Sequence, residues 1–309
     1  MKNIVVVKSK SRLGLKTVPY GGDGDKNVGV ENGSENIVRS GIFNNYFCKF
    51  LELDFPQPEN VKDQNYLSEY AKYLEQGTKK ILENYDKESM LVNLGGDHSV
   101  AFMSLNAAIS RAKGKDIGFI QIDSHGDIHN ISTSPSGNFH GMWVRPFLDR
   151  FENPEIDKQV SKKLSPRNVM YLGNLDLETE ERGFLNQKDI VNYSKAQLIA
   201  NRLKIIKFMN RFSHLHISID VDAFDMTIAP GTGIKAQDGL FFEDLEFLFN
   251  DLKNKKRVSI DLVEYNPLKD VNLITLKLIE EILTLIFENI IPARYFEEYE
   301  EAYLNFNQV

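Results

Sequence analysis

Short runs of β-branched and other apolar residues recur along the chain, with amphipathic stretches between them. Eight runs read as strands: Ile4–Val7, Phe47–Leu53, Met90–Leu94, Ile117–Asp123, Val169–Leu172, Ile190–Val191, His216–Val221 and Val258–Glu264. Several, such as Gly118-Phe119-Ile120-Gln121-Ile122, are nearly continuous apolar rather than alternating, which suits strands covered on both faces of a parallel sheet. Leu67, Ala71, Leu74, Ile81 and Leu82 share one face of a helix running to about Tyr85. Leu245, Leu248 and Leu252 do likewise after Gly239, and Leu278, Ile282, Leu285 and Ile286 line a long helix ended by Pro292. The alternation predicts an α/β fold: a mostly parallel central sheet with helices on both faces, in a single domain over residues 1–309, with no linker and no internal repeat.

Two polar stretches, Pro19–Asn36 and His129–Asn138, read as extended loops of the kind that carry function. Neither has the glycine spacing of a P-loop or a dinucleotide fingerprint, so no nucleotide cofactor is expected. The net charge of −7 among 26% charged residues offers no general footprint for nucleic acid or anionic lipid. The basic runs at Lys162–Lys163 and Lys253–Arg257 read as solvated helix ends or loops. Cys48 is the only cysteine, which rules out an intramolecular disulfide and favours a reducing compartment. The apolar run Ile4–Val7 is too short for a signal-peptide core, and no run approaches the ~20 residues needed to span a bilayer. A cytoplasmic protein with neither nucleic-acid nor membrane partners is the expectation.

The candidate chemistry gathers at strand ends, where open parallel sheets collect their ligands. Leu94-Gly95-Gly96-Asp97-His98 follows one predicted strand, Asp123-Ser124-His125-Gly126-Asp127 another, and Asp220-Val221-Asp222 a third. Asp123, His125 and Asp127 alternate, so in extended chain they can point the same way, and Asp220 and Asp222 share that spacing. A single Asp-x-Asp after a strand is usually a turn or a helix cap. Four carboxylates and two imidazoles meeting at one spot, however, repel one another unless a cation neutralises them. Oxygen and nitrogen ligands without cysteine suit Mn²⁺, Fe²⁺, Co²⁺ or Zn²⁺ in a catalytic rather than a structural site. Six ligands exceed the need of one ion, and a pair about 3.5–4 Å apart fits better.

The segments GGDHS (Gly95–Ser99), DSHGDIH (Asp123–His129), SGNFHGM (Ser136–Met142), SIDVDAFD (Ser218–Asp225), APGTG (Ala229–Gly233) and EYNP (Glu264–Pro267) together resemble the ureohydrolase superfamily of arginases, agmatinases and formimidoylglutamases. The Gly-rich stretch near Gly21–Gly33 extends the likeness. The resemblance implies a hydrolase with two Mn²⁺ per subunit (Co²⁺ or Fe²⁺ being able to use the same ligands), acting on a guanidino compound to release urea. It assigns one ion to His98, Asp123, Asp127 and Asp220 and the other to Asp123, His125, Asp220 and Asp222, with Asp123 and Asp220 bridging. Asp127 would orient the activated water and pass its proton on, His140 would shuttle protons, and Glu264 would pair with the guanidinium.

For the amino-acid end of the substrate, the matching positions are His129, Ser134 and Ser136 for a carboxylate and Glu178 with Glu181 for an α-amino group. His129 and Glu178 stand where Asn and Asp are more usual, Ser124 and Gly126 depart within the metal loop, and Ile234, Lys235 and Ala236 depart after Gly233. Ala236 removes a glutamate typical of agmatinases. L-Arginine is therefore the expected substrate, ahead of agmatine, formiminoglutamate or another guanidino acid. An inactive relative kept as a binding protein would have lost metal ligands, and none is lost. The resemblance also implies a homo-oligomer, a trimer or a hexamer.

Overall fold

The computed structural model describes residues 3–16, 27–61, 66–112, 117–174 and 176–291. Most of the expected polar loop before residue 27, and Pro292, lie outside them. Eight strands form one sheet: β1 (Ile4–Lys10), β2 (Cys48–Asp54), β3 (Met90–Leu94), β4 (Ile117–Asp123), β5 (Val169–Gly173), β6 (Val191–Ser194), β7 (His214–Asp220) and β8 (Arg257–Val263). Their order across the sheet is β2-β1-β3-β8-β7-β4-β5-β6, and every pairing is parallel. The helices are α1 (Gly33–Arg39), α2 (Tyr66–Asn84), α3 (Ala101–Arg111), α4 (Arg145–Leu148), α5 (Pro154–Asp157), α6 (Thr179–Lys188), α7 (Lys195–Met209), α8 (Phe242–Asp251) and α9 (Ile274–Ile290).

Strand periodicity sorts the apolar residues into two cores, one on each face. Ile4, Val6, Ile120, Ile122, Ile217, Ile219, Ile260 and Leu262 pack with Ile37 of α1, Leu198 of α7, Leu248 of α8 and Ile282 of α9. Val5, Val7, Leu91, Phe119 and Val263 turn the other way, onto Tyr70 and Leu74 of α2 and Phe102 of α3. The alternate positions of the central strands on this second face are polar and buried: Asn93, Gln121, Asp123, His216, Ser218, Asp220 and Asp261. Far from the strand ends they satisfy one another: His216 bonds Asp261 Oδ2 at 2.8 Å and Ser259 Oγ at 2.8 Å, and Asn93 donates to Asp261 Oδ1 at 3.2 Å. Towards the strand ends this polar row becomes the site.

Sequence and structure differ in a few places. Residues 33–36 are the first turn of α1 rather than loop, because Gly, Ser and Asn serve helix starts as readily as turns. Gly33 belongs there because a side chain would overlap the Tyr265 carbonyl oxygen. β7 begins two residues before its apolar run, at His214, and β8 ends at Val263, leaving Glu264 outside the ladder. Lys255 in the basic run is buried, with Nζ donating to Asn210 Oδ1 at 2.6 Å. Among the described residues no helix is long and apolar enough to cross a membrane.

Candidate metal centre

The four central strands β3, β8, β7 and β4 are neighbours, and their carboxyl ends deliver the acidic and imidazole side chains to one place. A single local device builds three of these ends. Asp97 Oδ1 accepts the Ser99 N–H at 3.0 Å, Asp123 Oδ1 accepts that of His125 at 2.7 Å, and Asp220 Oδ1 accepts that of Asp222 at 2.8 Å. Each is an aspartate turning the chain by bonding two residues ahead. In Asp123 and Asp220 the turn engages Oδ1 and leaves Oδ2 facing the centre. Asp97 is spent on structure: Oδ2 accepts the Gly14 N–H at 3.0 Å and the Ser11 hydroxyl at 3.2 Å. Gly96 passes so close to Ser11 that any side chain there would overlap the Ser11 carbonyl oxygen.

His98 Nδ1 lies 3.1 Å from Asp123 Oδ2, 3.0 Å from Asp127 Oδ2 and 3.0 Å from Asp220 Oδ2, buried and aligned for a hydrogen bond with none of them. Its other nitrogen, Nε2, bonds Ser218 Oγ at 2.9 Å, which fixes the ring. His125 Nδ1 is 3.2 Å from Asp222 Oδ2 and 3.5 Å from Asp123 Oδ1, and Asp222 Oδ1 is buried without a partner. Two groups of donor atoms result, His98–Asp123–Asp220 and Asp123–His125–Asp222, each with its atoms within 4.8 Å of one another and sharing Asp123.

The electrostatics asks for cations. Burial first, and then the charges of Asp222 and Asp123, push Asp220 well above the usual carboxylate range, and Asp222 is raised by burial and Asp123. Burial and the Asp123 charge push Asp127 up to about 7. Burial opposes charge on His98 and His125, yet the surrounding carboxylates hold both well above the ordinary histidine value. An orphaned imidazole nitrogen among three carboxylates, with buried acids forced towards protonation, is a donor set able to hold a metal ion.

Around this centre, Trp143 Nε1 donates to Asp127 Oδ2 at 3.0 Å and Gln121 Nε2 to Asp123 Oδ2 at 2.7 Å. Ser124 Oγ donates to the Asp222 carbonyl at 2.8 Å, tying the loop after β4 to the turn after β7. Glu264 is buried, with Oε1 accepting the His98 N–H at 2.9 Å and lying 3.8 Å from His140 Nδ1. Burial and the Asp97 charge push its carboxyl up to about 8. Burial, with the cationic imidazoles of His125 and His98, pushes His140 down to about 3, which keeps it neutral. Asp127 and Glu264 both have positive φ, 53° and 62°, a conformation that a non-glycine residue adopts only where its surroundings impose it.

The centre opens into a cavity of about 300 Å³ lined by His125, Asp127, His140, Ser134, Ser136 and Glu178 among others. His129 Nε2 is 3.2 Å from Glu178 Oε2 and 3.9 Å from Glu181 Oε1. Glu181 is buried and also structural: it accepts the Glu178 N–H at 3.2 Å, closing the N-terminus of α6, and the Ile128 N–H at 3.4 Å.

The arginase family model matches residues 11–287, which takes in every strand of the sheet beyond β1 and all these side chains. The chain belongs to the arginase family. It is 34% identical to arginase of Plasmodium berghei over 68% of this chain, of which it spans only 61% of the length. It is 31% identical to arginase of Staphylococcus aureus over 81% of this chain and 88% of that one. The fold is that of Entamoeba histolytica arginase, solved in complex with L-ornithine, at a TM-score of 0.82 and 22% identity over 93% of this chain and 98% of that one.

For an arginase-family hydrolase, the structure brings His98, Asp123, His125, Asp127, Asp220, Asp222, His140 and Glu264 together in one buried cluster, and it sets His129, Ser134, Ser136 and Glu178 on the adjoining cavity wall. Sequence reasoning passed over Trp143, Ser218, Gln121, Asn138 and Asp176, the last two of which line the cavity. Two of these carried a signal: Ser218 and Gln121 stand two residues before Asp220 and Asp123, on the same strand face.

Proposed function

We propose that the chain is a binuclear Mn²⁺ ureohydrolase that converts L-arginine to L-ornithine and urea. The observation that carries this is one cavity whose floor is the imidazole–carboxylate cluster and whose wall holds hydroxyls, an imidazole and acids suited to a zwitterionic head group. The relatives named arginase support it. His98, Asp123, Asp127 and Asp220 would hold one ion and Asp123, His125, Asp220 and Asp222 the other, with Asp123 and Asp220 shared. Bound there, two such ions supply a water activated as a nucleophile at neutral pH and stabilise developing negative charge.

The chain's own groups do the rest. Glu264 pairs with the guanidinium and fixes its angle to the nucleophile. Asp127, held by the Trp143 N–H, orients the attacking water and keeps its proton for the leaving amine. His140, at the cavity wall, passes protons between the site and solvent. Ser134, Ser136 and His129 receive the substrate carboxylate and Glu178 its ammonium, with Glu181 more heavily engaged in holding α6. A homo-oligomer in the cytoplasm completes the reading; the lone cysteine suits a reducing compartment.

The test is urea release after preincubation with Mn²⁺, comparing L-arginine, agmatine, 4-guanidinobutyrate and formiminoglutamate, the last followed by formamide. Preference for arginine is expected, and preference for any other compound overturns the substrate assignment. A second reading, a guanidino acid without an α-amino group, is favoured by the direct pairing of Glu178 with His129. That contact sets an imidazole where a substrate ammonium would approach Glu178, and guanidinobutyrate turnover above arginine turnover would establish it.

A further inference from the structure

The carboxylate of Glu264 is held at both ends. While Oε1 takes the His98 N–H, Oε2 accepts a 2.8 Å hydrogen bond from Nδ2 of Asn27, 237 residues away in the chain. Asn27 is fully buried and has a φ of 49°, so its backbone too is held in the left-handed region. Asn27 Oδ1 in turn accepts from Asn266 Nδ2 at 2.7 Å, and the same Nδ2 donates to the Val28 carbonyl at 2.9 Å. Asn266 Oδ1 accepts the Leu268 N–H at 3.0 Å.

These bonds settle which way each amide faces. A backbone N–H can only donate, so Leu268 sets Asn266 with its oxygen outward, and Asn266 must present its amino group to Asn27. Asn27 is then left with its own amino group towards Glu264. Both amides are closely packed, since a side chain on Gly233 would come within 2.8 Å of Asn27 Nδ2 and one on Gly29 within 2.7 Å of Asn266 Oδ1. A carboxylate has about two acceptor positions on each oxygen. With one on each oxygen occupied by His98 and Asn27, the remaining pair is left for a planar partner with two parallel donors, the pattern a guanidinium presents.

We infer that Asn27, oriented by Asn266, is a positioning residue that fixes the Glu264 carboxylate for a guanidinium and so contributes to selection of guanidino substrates. The inference rests on the guanidino reading proposed above. It accounts for the EYNP segment as a unit, since Glu264 and Asn266 clasp one side chain from opposite sides.

The test uses the full-length protein loaded with Mn²⁺, comparing wild type, Asn27→Ala, Glu264→Gln and the double variant. Three quantities are measured: guanidinium binding by calorimetry, KM and kcat for L-arginine, and metal content. Loss of one hydrogen bond to a charged group should weaken guanidinium binding and raise KM roughly tenfold in Asn27→Ala, with metal content unchanged. The substitution should add little once Glu264→Gln is present. Unchanged guanidinium affinity in Asn27→Ala, or independent losses that add in the double variant, would overturn it. Should Asn27→Ala fail to fold, Asn266→Asp removes the orienting donor from outside the site and should weaken guanidinium binding in the same direction; unaltered binding there also overturns it. Wild type that binds no guanidinium defeats the guanidino reading itself, which is a different result from wild-type binding that Asn27→Ala leaves intact.

Discussion

The side chains that hold the centre are themselves held, and this makes their contributions measurable one at a time. Trp143→Phe removes the indole N–H that donates to Asp127 Oδ2 while keeping an aromatic ring against Phe119 and Phe147. It should lower kcat roughly 10–100-fold with metal content unchanged, as loss of a group supporting a metal-site ligand does; unchanged kcat would remove the orienting role from that bond. The imidazoles predict a pH effect. In the absence of an ion, carboxylates hold His98 and His125 protonated well above the usual histidine range, so their ion pairs stabilise the fold fully below the unfolded value of about 6.5 and cease to do so as pH rises through the higher folded values. A cation needs both rings neutral, so its binding must expel protons and tighten as pH rises. Calorimetry of Mn²⁺ binding near neutral pH, in two buffers of different ionisation enthalpy, should show heats that differ by the released protons. Identical heats would mean that the rings are already neutral.

At the scale of the element, the turns after β3, β4 and β7 repeat one aspartate device, and their legibility in sequence follows from that. Asp123-x-His125-x-Asp127 needs only a strand followed by a short extended stretch, all within one segment, so spacing alone reveals it. Asn27 and Trp143 reach the site through contacts made across the fold, and nothing local to either residue records them. The central strands were likewise readable because both faces are covered, whereas β7 starts early because His214 and His216 are buried by partners on β8, Ser259 and Asp261. Residues 33–36 misled because helix starts and turns favour the same residues. Gly96→Ala tests the tightest of the turns. The added methyl must displace the Ser11 backbone, which should lower unfolding free energy by about 2–3 kcal/mol and weaken metal binding through His98. Urea denaturation at fixed Mn²⁺ reads the first effect; an unshifted midpoint would show that the segment after β1 yields freely.

Across the whole molecule, ions that bind the folded chain and not the unfolded one add stability by mass action, about 2.7 kcal/mol for each site at roughly 100 times its Kd. Stripping the protein with a chelator should therefore lower its melting temperature by several degrees, and Mn²⁺ should restore it. A melting temperature indifferent to chelation would mean that the buried acids are neutralised by their own protons instead. Light scattering checks the proposed assembly, with a trimer or hexamer expected and a monomer contrary to it. The strand order carries a consequence for how the centre is put together. Among the described residues β8 follows every other strand in the chain, yet it lies between β3 and β7. Without β8 the remaining strands fall into two half-sheets, with His98 following one and the aspartates of β4 and β7 on the other. The Asp123–His125–Asp222 group therefore lies wholly on the half that holds β4 and β7, and only the arrival of β8 in the middle brings His98 to it.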